Sequence, residues 1–181
     1  ARALCINESL STGSMLPTIA SYQAAGFAVA VINPNNHFWL SHDKTERFLI
    51  PGSATSRKHI VLAWDSILCK SPAKRFVVLC HSAGGFSTSG LIRKRATDVL
   101  PRLRAVAMTD AVHDLRWNGE AFGPMHAFFR TRAVDWVASD LPLDTPVPAG
   151  PDGIRLVSAG HEKHESTTAC CAESVFSFLC A

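Results

Sequence analysis

Apolar residues along this chain fall into two kinds of run. Phe27 to Ile32, Phe76 to Cys80, Leu103 to Met108 and Ile154 to Val157 are short and nearly continuous. Each is too short for a helix and is bounded by charge or by turn residues such as Asn33-Pro34-Asn35-Asn36, so each reads as a buried strand. Elsewhere apolar residues recur every three or four positions, which predicts helices. Met15, Leu16, Ile19 and Ala20 form such a stripe, with Ser14 as cap, Pro17 in the first turn and Gly26 as the stop. Ile60, Val61, Trp64, Ile67 and Leu68 predict a second helix, from Ser56 to Lys70. A third follows Ser82 as far as Thr97. Phe128, Phe129, Val134 and Val137 predict one from Met125 to Ala138, and Ala172, Val175, Phe176 and Leu179 a last one. Residues 35–55 read as a polar loop, and so does the stretch from Leu141 to Gly153, which carries Pro142, Pro146, Pro148 and Pro151.

Strands separated by helices imply right-handed crossovers and a parallel sheet. Strands apolar at nearly every position imply a sheet covered on both faces. The expected fold class is therefore α/β: a doubly wound, mostly parallel sheet in three layers. A length of 181 residues favours a single domain over 1–181. Leu, Ile, Val and Phe make up about a quarter of the chain, above the roughly 20% below which chains tend to be disordered. No apolar run approaches the roughly 20 residues that cross a bilayer, which excludes a membrane-spanning helix.

The net charge of +3 is modest. The one basic cluster, Arg93, Lys94, Arg95, Arg102 and Arg104, reads as a solvated helix end. Without interleaved aromatic residues it makes direct contact with RNA a weak reading. The six cysteines show neither a CxxC pair nor zinc-ribbon spacing. Cys69 and Cys80 lie in apolar runs, and vicinal Cys170-Cys171 does not readily close a relaxed disulfide, which suits a reducing compartment. Ala1-Arg2-Ala3 contains neither an initiator Met nor an apolar signal core. The natural N-terminus, and any targeting peptide, is therefore expected upstream.

In doubly wound sheets, chemistry collects at the C-terminal ends of the strands. That directs attention to Ser82, Asp110 and His164. Cys80-His81-Ser82-Ala83-Gly84-Gly85, between a strand and a helix, approximates the G-x-S-x-G nucleophile elbow, with Cys80 in place of the first glycine. Such a turn strains the serine backbone and requires small residues two positions to either side, as Cys80 and Gly84 are. The Ala83 amide, at the start of the helix, is placed to bind an oxyanion. A serine hydroxyl needs a base and a group that orients the base. The order Ser82, Asp110, His164 is that of α/β-hydrolases, although Asp110 follows the strand next after the nucleophile, one earlier than usual. Asp114 and Asp144 compete for the acid role.

A metal reading is weaker. His161 and His164 are one residue too close for H-E-x-x-H, and His113 would have to complete the set. The triad chemistry needs no metal or organic cofactor. His37, His42, His59 and His126 are expected at the surface or in loops, and Trp39, Trp64, Trp117 and Trp136 in or near the core.

Seven segments in order carry a family resemblance. They are Gly13-Ser14-Met15-Leu16-Pro17, Val31-Ile32-Asn33-Pro34-Asn35, Ile50-Pro51-Gly52-Ser53, Cys80 to Gly85, Ala107 to His113, Leu143-Asp144-Thr145-Pro146-Val147, and Ser158-Ala159-Gly160 leading to Lys163-His164-Glu165. The set resembles the Arb-type (Argonaute-binding) domain of the family-172 cotranscriptional regulators and of the C-terminal region of some fungal histone deacetylases. The resemblance implies an α/β-hydrolase-like fold, with Ser82 and His164 as nucleophile and base and Asp110 inside the family's Thr-Asp-x-Val-His motif. It also implies a setting of Argonaute proteins, small-RNA silencing and chromatin, in the nucleus or cytoplasm. Asn7-Glu8-Ser9-Leu10 is similar to the family segment that follows a further strand and a His-Gly loop. Neither lies within this chain, and together they would supply the second oxyanion donor.

Two functions from different classes follow. One is a serine hydrolase acting on a small acyl ester, thioester or similar bond. The other is a catalytically silent module that docks an Argonaute-like, chromatin or other ribonucleoprotein partner, since fold alone does not fix function.

Overall fold

The computed structural model describes residues 2–113, 115, 120–150 and 152–181. Two short helices, α1 (Arg2–Asn7) and α2 (Leu10–Gly13), precede α3 (Leu16–Ala24). Ser9 caps α2 by accepting from the Thr12 amide at 3.0 Å, and Pro17 sits in the first turn of α3, where its missing N–H costs nothing.

A hairpin follows, β1 (Phe38–Leu40) with β2 (Arg47–Leu49). It lies inside the stretch expected to be loop. Trp39 stacks on its cross-strand partner Phe48 with ring centroids 4.4 Å apart, and the Arg47 guanidinium lies 3.6 Å from the Phe38 ring centre. Cross-strand aromatic pairs of this kind stabilise short ladders that three-residue strands do not announce. Trp39 is accordingly 53% exposed and is not a core residue, whereas Trp64 and Trp136 are buried. Trp117 lies outside the described residues.

Helix α4 (Ser56–Ala63) is capped by Thr55 and runs into a π-helical turn, Trp64–Leu68, so the predicted helix is present in two conformations. The central sheet then builds in sequence: β3 (Phe76–His81), α5 (Ala83–Lys94), α6 (Ala96–Val99), β4 (Leu103–Thr109), α7 (Gly123–Arg132), β5 (Ala133–Val137), β6 (Pro146–Val147) and β7 (Arg155–Ser158). Helices α8 (Thr167–Cys170) and α9 (Ala172–Cys180) close the chain. The sheet order is β3-β4-β5-β7-β6. The first four strands are parallel, and β6 runs antiparallel against β7. The mixed α/β architecture with a mostly parallel sheet agrees with the expectation from sequence.

Alternation along the strands divides the core between the two faces of the sheet. On one face Cys80, Val106 and Met108 pack with Leu91 and Ile92 of α5 and with Phe128 and Phe129 of α7. On the other, Ala107, Val134 and Trp136 pack with Tyr22 of α3 and with Val175 and Leu179 of α9. Helices therefore cover both faces.

The short strand β6 falls inside the stretch from Leu141 to Gly153 expected to be loop, and two further expectations need correction. Phe27–Ile32 is not a strand: no backbone hydrogen bond joins Ala28–Ile32 to a described residue, and Val31 is 60% exposed. An apolar pattern makes a strand only where a neighbouring strand supplies the ladder. Here β3 is an edge of the sheet and does not pair with this segment. The helix expected from Met125 to Ala138 ends at Arg132, and its second half is β5. Val134 and Val137 match a helical period, but β-branched Val134 and bulky Trp136 suit a pleated surface better, and β5 is paired on both sides.

Candidate active site

The site lies at the C-terminal ends of β3 and β4, where the segment after β7 returns against them. Ser82 joins β3 to α5 with φ 54° and ψ −125°, the left-handed side of backbone space that non-glycine residues adopt only under constraint. The constraint is visible. The Ser82 amide donates to Thr109 O at 3.3 Å, and Ser82 O accepts from Gly85 N at 3.1 Å and Val112 N at 3.0 Å. The small neighbours are required by space. A Cβ on Gly84 would come within 3.1 Å of the Cys80 Cβ, and one on Gly85 within 2.8 Å of both the Ala111 Cβ and Val112 O. The Ser82 side chain makes no capping bond to its helix. Ala83 is the first residue of α5 and is exposed; an amide at that position has no intrahelical acceptor.

Asp110 follows β4 directly, also at positive φ (48°). Its Oδ1 accepts from the Ala138 amide at 3.0 Å, just beyond β5, and its own amide donates to Trp136 O at 2.8 Å. This leaves Oδ2 to accept from His164 Nδ1 at 2.6 Å. With Nδ1 as donor, the neutral His164 ring keeps an unprotonated Nε2, the form that can take a proton. The structure thus brings Asp110 and His164 together at the end of the sheet that carries Ser82.

His81 adds a contact that pattern reading passed over. Its Nδ1 donates to Thr109 O at 2.7 Å, since a carbonyl can only accept, and its ring packs on that of His164 with centroids 4.5 Å apart. Burial, the first cause, pushes the His81 pKa down. The Thr109 hydroxyl is bonded in turn to that of Thr168 at 2.7 Å. Behind the site is Asp135 of β5, 1% exposed, with both carboxylate oxygens 3.3 Å from the Ala111 amide. Burial raises its pKa to about 7, with the nearby Asp110 and Asp152 charges adding to the shift. His113 Nε2 lies 3.9 Å from Asp135, and its Nδ1 lies 2.9 Å from Asp152 Oδ2, close enough for an ion pair but off the line of a hydrogen bond.

Of the competing acids, Asp144 is engaged elsewhere: it accepts from Trp136 Nε1 at 2.7 Å and from the Ser174 hydroxyl at 2.6 Å. Asp114 lies outside the described residues. The three-histidine metal set does not assemble. His113 faces Asp135 and Asp152, His164 faces Asp110, and His161 Nδ1 accepts from the Lys163 amide. Among the described residues no three potential ligands stand together for a metal. His37 and His59 are half-buried and both bind Ser53, one its carbonyl and the other its hydroxyl. They fix the turn before α4 and are not simply surface groups.

No solved structure significantly matches the chain. A "Cotranscriptional regulator ARB2A homolog" of Dictyostelium discoideum is 31% identical across 99% of this chain and 54% of its own length. The human "Cotranscriptional regulator ARB2A" is 28% identical with the same coverage of both chains. A "FAM172 family protein homolog" of Caenorhabditis elegans is 31% identical over 61% of this chain and 33% of its own. The chain thus spans about half the length of the first two relatives. The family model described as "Arb2 domain" matches residues 1–143, and on that match the chain belongs to the Arb2 domain family.

Proposed function

We propose that this domain is a serine hydrolase of the α/β-hydrolase type that cleaves an acyl ester, thioester or similar bond. The observation that carries the reading is the backbone of Ser82, a non-glycine residue held at positive φ between a parallel strand and a helix. The energetic cost of that conformation points to a functional constraint on the position. In the reaction, Ser82 Oγ attacks the acyl carbonyl while His164 Nε2 takes the hydroxyl proton. Asp110 holds Nδ1 and stabilises the imidazolium, and the Ala83 amide binds the oxyanion. His164 then protonates the leaving alcohol or thiol. Water, deprotonated by His164, cleaves the acyl-Ser82 ester and releases the acid. No step uses a metal or organic cofactor.

Labelling with a fluorophosphonate probe tests the reading. The wild type should label, and Ser82→Ala and His164→Ala should lose labelling without losing the fold. A folded wild type that does not label refutes it.

A second reading is favoured by the relatives' names as cotranscriptional regulators. In it the domain serves as an interaction module in the nucleus or cytoplasm, docking an Argonaute-like, chromatin or other ribonucleoprotein partner. Such binding would survive Ser82→Ala. Direct RNA contact by the basic cluster has less behind it. Arg95 is paired with Asp65 at 2.6 Å, and Arg102 donates to Cys69 O and Ala73 O.

A further inference from the structure

We infer that His81 is a positioning residue for His164, acting through its ring face. The inference rests on the hydrolase reading for its consequence but on separate observations for its geometry.

A base is useful only if its free nitrogen stays aimed. The bond from His164 Nδ1 to Asp110 Oδ2, at 2.6 Å, fixes one edge of the imidazole. One hydrogen bond still lets the ring swing about that contact, and the His164 side chain is 47% exposed, so surrounding packing does little to hold it. The second constraint is the His81 ring, 4.5 Å away between centroids and tilted by 33°. A ring-edge bond and a face contact together restrict both the swing and the rotation.

His81 is itself well anchored for this task. It ends β3 in register with Thr109 of β4, and its Nδ1 donates to Thr109 O at 2.7 Å. That bond ties together the residues just before Ser82 and Asp110. Thr109 is completely buried, and its hydroxyl is bonded to Thr168, four residues beyond His164. The platform is therefore linked to both strand ends and to the turn that bears the base. Its half-buried setting favours the neutral ring, so the face it offers does not repel an imidazolium forming on His164.

The ring face and the Nδ1 bond can be separated by substitution. His81→Phe keeps an aromatic face and loses the donor to Thr109 O. His81→Asn keeps a short side-chain N–H donor and loses the face. The primary readout is the imidazole NMR spectrum of His164, which does not depend on catalysis. In the wild type the Nδ1 proton shared with Asp110 should be far downfield and slow to exchange. In His81→Phe it should persist. In His81→Asn it should broaden or vanish, and fluorophosphonate acylation should slow about tenfold, equivalent to about 1.4 kcal/mol in the barrier.

Retention of the signal and the rate in His81→Asn would overturn the inference. So would loss in His81→Phe with retention in His81→Asn, which would make His81 a staple between strands and nothing more. If wild type and variants all fail to label, the hydrolase reading falls, while the NMR comparison still decides the positioning role. Should His81→Asn fail to fold, His81→Gln, a longer amide without the ring, carries the same expectation.

Discussion

Asp135→Asn should make the protein more stable, by an amount that grows with pH. In the folded chain the Asp135 carboxyl is 1% exposed and titrates at about 7, against an ordinary value of 3.8. The folded state therefore holds the proton more tightly than the unfolded one. Stability is undiminished by this group below about pH 4, falls as pH rises toward 7, and levels off above it. The slope for one such group is about 1.4 kcal/mol per pH unit, which gives a loss of about 4 kcal/mol by pH 8. Asn removes the charge and keeps an oxygen to accept from the Ala111 amide, 3.3 Å from the carboxylate. Wild type and variant should match near pH 4 and differ by up to about 4 kcal/mol at pH 8. That corresponds to roughly 8–16 °C in Tm for a chain of this size. Urea unfolding followed by the fluorescence of buried Trp64 and Trp136, at intervals from pH 4 to 8.5, measures it. A difference that does not grow with pH, or a variant less stable than wild type at pH 8, would refute the burial argument.

Two further predictions concern the serine turn. Ser82→Gly removes the hydroxyl and relieves the positive φ, so it should abolish labelling yet raise stability by about 1 kcal/mol after the extra unfolded-state entropy of glycine is set against it. A lower urea midpoint than Ser82→Ala would argue against strain. Gly85→Ala places a Cβ 2.8 Å from the Ala111 Cβ and Val112 O, and overpacking against backbone should cost about 1–3 kcal/mol. Gly123→Ala, whose Cβ meets nothing within 4 Å, is the control and should leave the urea midpoint unchanged or slightly raised.

What sequence made legible here was largely local. Phe76–His81 and Leu103–Thr109 are compact apolar runs with turn chemistry after them, and both are strands close to where the pattern put them. Ser82 was identifiable because an elbow needs small residues at fixed short offsets, a constraint contained in six consecutive positions. Phe27–Ile32 has an equally apolar pattern, but strand formation also depends on a partner, and no neighbouring position encodes one. The hairpin at 38–49 escaped for the opposite reason: its strands are three residues each, too short for alternation to register, and its stability comes from contacts across the ladder.

The error at β5 had the larger consequence for the site. Reading Ala133–Val137 as the end of a helix removed a strand from the sheet, and with it two neighbours of Asp110. One is the Ala138 amide, which bonds Oδ1 and leaves Oδ2 for His164. The other is Asp135, whose buried carboxyl meets the Ala111 amide. Asp110 could be put forward from its place at a strand end, with Asp114 and Asp144 as rivals, but what orients it comes from a strand that begins directly after α7 without an intervening loop. Helix periodicity carries through such a junction because Phe128, Phe129, Val134 and Val137 recur at helical spacing although the last two lie in the strand. The discriminating signal was β-branched Val134 and Val137 bracketing Trp136, in a run where Asp135 would be an awkward core residue for a helix. In a central strand it has a use, because its buried carboxylate can accept from the turn that follows β4. A lone acid inside an apolar run after a nucleophile elbow is therefore evidence for a strand that passes beneath the site.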